Sequence, residues 1–105
     1  MSDKINLNEI QEKVDFWITN HGGYWSPLSM MCAIIEEVGE VAREINGMEG
    51  FKPPKIEVKS DLEGELGDLL YSIICLANHY KINLQDAIFN TIKKYSKRDA
   101  KRFVK

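Results

Sequence analysis

The sequence predicts an all-α protein: a four-helix bundle-like protomer whose core is completed by homo-oligomerisation. Three observations carry this. Apolar residues recur at intervals of three and four in four separate segments. No stretch shows the strict alternation of a half-buried strand, and the breaks between segments fall at Gly, Pro, Asn and Ser. At 105 residues the chain reads as one domain over 1–105, too short to bury all of its apolar surface, so a helical protein of this size is expected to associate with itself.

The first helix is predicted from about Asn8 to Asn20, with Leu7, Ile10, Val14, Trp17 and Ile18 on its core stripe. Asn6 followed by Glu9 has capping-box character, and Gly22-Gly23 ends the helix. Ser26-Pro27 opens the second helix, because serine caps free amides and proline is tolerated at the first helical position. Its apolar side is Met31, Ile34, Ile35, Val38, Val41, Ala42 and Ile45, with a stop expected near Asn46-Gly47. The segment from Asn46 to Lys59 holds Gly47, Gly50, Pro53 and Pro54 and reads as a connector or lid. Ser60 with Glu63 reads as the capping box of a third helix that buries Leu62, Leu66, Leu69, Leu70, Ile73, Leu76 and Ala77 and ends around His79-Tyr80. Asn83 with Asp86 opens the fourth helix, which packs Leu84, Ile88, Ile92 and Tyr95.

Composition narrows the class. With 44% hydrophobic and 29% charged residues the chain is globular in composition. No apolar run is long enough for a membrane span, and Met1-Ser2-Asp3-Lys4 lacks the apolar stretch of a signal peptide, so a cytoplasmic location is expected. Cys32 and Cys75 fall on helix faces that read as buried, as reduced core thiols do. The net charge of -2 is unevenly spread: seven basic residues lie between Lys93 and Lys105 against the single acid Asp99. A basic end beside an acidic middle suits an anionic substrate bridged to the protein by metal.

The acidic middle holds the most informative pattern. Glu37-Val38-Gly39-Glu40 and Glu65-Leu66-Gly67-Asp68 lie in two different helical segments. At about 100° per residue, each signature sets two carboxylates on one side of its helix, so two such helices lying together would offer four oxygen ligands to one space. Glu36 and Glu44 stand beside the first pair, and Asp61 one turn before the second. A solvated acidic face normally interleaves Lys or Arg one turn away. Here Arg43 is the only base between Met30 and Gly50, and none lies between Ser60 and Tyr80. Such crowding costs stability unless a cation arrives. Gly39 and Gly67, at matching places in the signatures, suggest close helix approach or room for a ligand.

Ligand type selects the metal. Diiron bundles use Glu-x-x-His, but the residues three before His21 and His79 are Ile18 and Leu76. Zinc would draw on Cys and His, which are scarce and misplaced for it. All-oxygen ligation points to Mg2+, with Mn2+ as a substitute.

In their order, Glu36-Glu37-Val38-Gly39-Glu40-Val41-Ala42-Arg43-Glu44 and Glu63-Gly64-Glu65-Leu66-Gly67-Asp68-Leu69-Leu70 match an E-x-x-E helix followed, after a connector, by an E-x-x-D helix. In this the chain resembles the MazG-type nucleotide pyrophosphohydrolases, a branch of the all-α NTP pyrophosphatase superfamily. The likeness runs from Tyr24-Trp25-Ser26-Pro27 to Lys94-Tyr95-Ser96-Lys97-Arg98-Asp99. It implies Mg2+-dependent hydrolysis of a nucleoside triphosphate between its α and β phosphates, in a dimer or tetramer. The metal ligands it implies are Glu37, Glu40, Glu65 and Asp68, with Glu36 or Glu37 as the catalytic carboxylate, and Lys94 and Arg98 as phosphate contacts. Several members of that family carry a Lys and an Asn in the fourth helix, where this chain has Asn90-Thr91-Ile92. Trp25, with Tyr24, would stack on a nucleobase, and Asn78 would hydrogen-bond sugar or base.

Other readings make different predictions. A non-catalytic helical assembly module would ignore Mg2+, and a nucleic-acid binder using the basic end would weaken steeply with salt. The acidic middle opposes the latter. Within the enzyme class, dUTP and phosphoribosyl-ATP are alternative substrates.

Overall fold

The computed structural model describes residues 4–50 and 60–100, and among these every regular element is a helix: α1 (Leu7–Thr19), α2 (Pro27–Glu49), α3 (Leu62–His79) and α4 (Leu84–Asp99). The caps explain the starts. Asn6 accepts the Glu9 amide at 2.9 Å, Ser26 accepts that of Ser29 at 3.3 Å with Pro27 at the first position, and Asn83 accepts that of Asp86 at 2.9 Å. The start of α3 differs from the capping box expected there. Asp61 occupies the cap position, the Ser60 hydroxyl accepts the Leu62 amide at 3.2 Å, and the Asp61 amide donates to Glu44 Oε1 of α2 at 2.8 Å. A methyl group on Gly64 would come within 2.6 Å of the Asp61 carboxylate, which would have to turn aside to admit it.

α2 also continues past the expected stop, through Gly47 to Glu49, with the Gly50 amide donating to the Asn46 carbonyl at 2.8 Å. One interior glycine costs a helix only about 1 kcal/mol, less than is needed to end an element of about six turns. The rest of the expected connector, residues 51–59, lies outside the described residues, as do the last residues of the basic end.

α2 packs along α3, α1 lies against α3, and α4 makes its principal contacts with α1. The buried core is small: Met30, Ile74 and Ala77 are its apolar members, and of these only Ala77 is on the stripes read from the sequence. Much of what those stripes assigned to the core is open in the protomer, including Ile35 (60% exposed), Val38, Leu66, Leu70, Ile88 and Ile92, and no residue of α4 is buried. Trp17 and Cys32 are likewise exposed rather than buried. The physical reason is extent. The radius of gyration is 17.4 Å, against roughly 13 Å for a compact domain of this length, so the apolar arcs of four splayed helices exceed what they can cover for one another.

One buried polar side chain ties the layers. Gln11 of α1 donates through Nε2 to Asn78 Oδ1 and to the Ile82 carbonyl, both at 2.9 Å, and accepts the Leu84 amide at 2.8 Å on Oε1. Asn78 Nδ2 returns a bond to the Gln11 carbonyl at 3.0 Å. The amide thus pins α1 to the end of α3, to the turn after it and to the start of α4. That turn is a Schellman motif, with the Ile82 amide on the Ala77 carbonyl and Lys81 at φ 57°. Replacing Gln11 by alanine strands three polar groups. Gln11→Ala is expected to lower unfolding stability by about 2 kcal/mol or more in chemical denaturation. A loss within experimental error would show that the clamp contributes nothing.

Candidate functional site

The α2–α3 pairing brings three of the expected carboxylates together. Oxygens of Glu37, Glu65 and Asp68 lie within 4.8 Å of one another. Glu37 and Glu65 are half-buried and Asp68 is exposed, so the group opens to solvent on one side. Glu40, one turn along α2, is outside this trio; its carboxylate faces Arg43 at 4.0 Å in an exposed pair that contributes little. Glu36 is exposed and borders the cleft described below. Glu44 is engaged with the Asp61 amide. No close helix approach explains Gly39 and Gly67: a methyl group on either would meet nothing within 4 Å.

The electrostatics fit a cation. Glu37 Oε2 is buried and has no hydrogen-bond partner, an arrangement that is costly for an oxygen carrying charge. The Glu65 carboxyl is raised above its ordinary value of 4.5, first by partial burial and then by the negative charges of Glu40, Asp68, Glu37 and Asp61. Hard oxygen donors, an orphaned buried oxygen and unrelieved mutual repulsion are what a divalent ion such as Mg2+ or Mn2+ would satisfy, with Glu37, Glu65 and Asp68 as its holders.

Beside the trio lies a cleft of about 440 Å³ between the end of α1, the α1–α2 turn, the start of α2 and the middle of α3. Glu36 and Glu37 form its acidic end, and Trp17, His21, Tyr24 and Trp25 its aromatic wall, with Ser72 and Cys75 across from them. Trp25 therefore sits in the cleft. Trp17 and His21 were not among the expected site residues. Their i,i+4 spacing just before Gly22-Gly23 was the available signal, since an aromatic and an imidazole one turn apart at a helix end share a face. Burial pushes the Cys75 thiol up, away from the thiolate form.

The remaining expected contacts lie elsewhere. Asn78 is engaged with Gln11 and with the Tyr24 hydroxyl, which itself donates to Asp15 Oδ1 at 2.7 Å; burial first, then this bond to Asp15, pushes Tyr24 up to about 12. Lys94 and Arg98 belong to neither the trio nor the cleft. Lys94 lies over the Tyr95 ring at 4.8 Å, and Arg98 over the same ring at 4.3 Å while bonded to Asp99 at 2.9 and 3.0 Å.

Because the folded chain holds the Glu65 proton more tightly than the unfolded chain does, protonation favours the fold. In metal-free protein this contribution is present below the unfolded carboxylate value and is lost as pH rises through the higher native one. Glu65→Gln is expected to flatten that part of a stability–pH curve measured in EDTA. Parallel wild-type and variant curves would contradict the crowding described here.

The comparisons with known proteins agree with this geometry. Residues 25–103 match the model of the MazG nucleotide pyrophosphohydrolase domain. The uncharacterised YpjD protein of Bacillus subtilis (strain 168) is 42% identical over 107 residues, covering 100% of this chain and 96% of its own. A crystal structure of YpjD from Bacillus subtilis, a candidate pyrophosphatase, superposes with a TM-score of 0.80 at 42% identity over 90% of this chain and 98% of the other. A Bacillus-conserved MazG protein, a nucleotide pyrophosphohydrolase, gives 0.77 at 36% identity over 90% and 93%. Among the described residues no helix is long and apolar enough to cross a membrane. With both acidic signatures inside the matched span, the chain belongs to the MazG nucleotide pyrophosphohydrolase family.

Proposed function

We propose that this protein is a cytoplasmic, Mg2+-dependent enzyme that hydrolyses nucleoside triphosphates to the monophosphate and pyrophosphate. The observation that carries the reading is the Glu37–Glu65–Asp68 trio, with its orphaned buried oxygen, opening beside an aromatic cleft. A nucleotide needs both features next to each other: a cation holder for its phosphates and a flat apolar wall for its base.

When bound, Mg2+ would neutralise triphosphate charge and make water more acidic. The protein's own part is positional. Glu37, Glu65 and Asp68, fixed on two paired helices, set where the phosphates come to rest, and Trp25 with Trp17 flanks the base in the cleft. Glu36 borders the cleft outside the trio and is the better placed of the two catalytic candidates to take the proton of the attacking water, while Glu37 is committed to the cation. Water adds to the α phosphorus, the bond to the bridging oxygen breaks, and pyrophosphate leaves. Glu40 supports the site through its charge on Glu65. Lys94 and Arg98 would meet the departing pyrophosphate from a neighbouring copy, since neither reaches the trio of its own protomer.

Glu37→Gln and Asp68→Asn are each expected to cut pyrophosphate release from a nucleoside triphosphate with Mg2+ by at least a hundredfold, and excess EDTA to abolish it. Wild-type rates in both variants would overturn the ligand assignment.

The same proposal includes self-association. On α2, Leu28, Met31, Ile35, Val38, Ala42 and Ile45 recur at a heptad-like spacing and are all exposed, and α4 adds Ile88, Phe89, Ile92 and Tyr95. Two exposed apolar helix faces of this length are typical of interfaces rather than of a monomer's surface. Ile35→Glu is expected to lower the sedimenting mass from that of a dimer or tetramer toward that of a protomer of 12.1 kDa. An unchanged assembly would place the contact elsewhere.

A further inference from the structure

The aromatic wall of the cleft contains one imidazole whose neutral tautomer the structure selects. His21 follows the cap of α1, where Gly22 and Gly23, at φ 104° and 85°, turn the chain back; its own amide and that of Gly23 both donate to the Ile18 carbonyl, at 3.0 and 2.9 Å. The imidazole stacks on Trp17 with centroids 4.0 Å apart and planes inclined by 11°. Its Nδ1 is 2.7 Å from the Trp17 carbonyl oxygen. A carbonyl only accepts, so Nδ1 carries the proton, and the neutral ring is left with Nε2 as a lone-pair acceptor and not a donor.

The neighbouring groups do not duplicate this. The Tyr24 hydroxyl donates to Asp15 at 2.7 Å and its oxygen is engaged by Asn78, the indoles of Trp17 and Trp25 can only donate, and the hydroxyl of Ser72 can turn either way and so does not discriminate. Glu36 and Glu37 are at the acidic end. We propose that His21 reads the base, using Nε2 to accept a hydrogen bond from an exocyclic amine, and that the protein therefore prefers amine-bearing bases such as cytosine over uracil. The inference rests on the nucleotide reading above and narrows its substrate class. Cytosine and uracil have the same ring and nearly the same volume, so the cleft's size cannot separate them. At C4 cytosine offers N–H donors, whereas uracil would set a carbonyl oxygen against the Nε2 lone pair, leaving both acceptors unsatisfied.

The test compares CTP with UTP, by kcat/KM with Mg2+ and by equilibrium binding of their α,β-methylene analogues. Wild-type protein is expected to favour the cytidine nucleotide roughly tenfold, the scale of one discriminating hydrogen bond. His21→Phe keeps a ring on Trp17 without the acceptor and should bring the ratio near one. His21→Gln restores an acceptor oxygen and should recover part of the preference. His21 is exposed, so neither variant disturbs a core. Equal use of the two nucleotides by wild type, or an undiminished preference in His21→Phe, would overturn the proposal. If wild type hydrolyses neither, the hydrolytic reading fails, and the analogue binding ratios still decide the role of His21.

Discussion

The structure depends on carboxylates being held together against their own repulsion. Packing α2 along α3 forces Glu37, Glu65 and Asp68 within 4.8 Å of one another, with Glu40 close enough to raise Glu65 further. Among the described residues no ion pair reaches the trio; Arg43 pairs with Glu40 on the exposed side at 4.0 Å. A fold that spends packing energy to concentrate negative charge is understandable if the arrangement is completed by a cation. The unpartnered, buried Glu37 Oε2 marks where completion is most needed.

Two polar ties keep that arrangement in register. Glu44 reaches from α2 to the amide of Asp61, holding the start of α3 beside the helix that carries the other half of the site. Gln11 performs the corresponding task at the far end, where it locks α1 to Asn78 and to the turn that leads into α4. Since the second half of α1 carries Trp17 and leads directly into His21, the clamp indirectly sets the aromatic wall against the acidic end. The thin apolar core of Met30, Ile74 and Ala77 could not do this alone, which is why hydrogen bonds matter more here than in a well-filled bundle.

Much of this was legible in the sequence. Helix number, order and three of four caps follow from Asn6, Ser26-Pro27 and Asn83, because capping is a local interaction between neighbours in the chain. The pairing of the two acidic signatures was readable for the same reason: carboxylates three apart, without nearby bases, need an external partner. What could not be read depends on tertiary distance. Glu40 and Glu37 look alike in sequence, yet it is Glu37 that comes within 4.8 Å of both Glu65 and Asp68, while Glu40 acts on Glu65 as a nearby charge, a matter of helix rotation. Asn78 reads as a free polar group near a helix end, but Gln11, far away in the chain, engages it. Trp17 and Ile35 read as core because periodicity reports a helix's apolar side, not whether the same chain covers it.

The claim on which the rest stands is that a divalent cation sits between α2 and α3. Anomalous diffraction at the manganese edge from crystals grown with Mn2+ tests it most directly. The account predicts a peak within bonding distance of oxygens from Glu37, Glu65 and Asp68 in every copy. Manganese bound only elsewhere, or no peak beside those oxygens at saturating Mn2+, would contradict it.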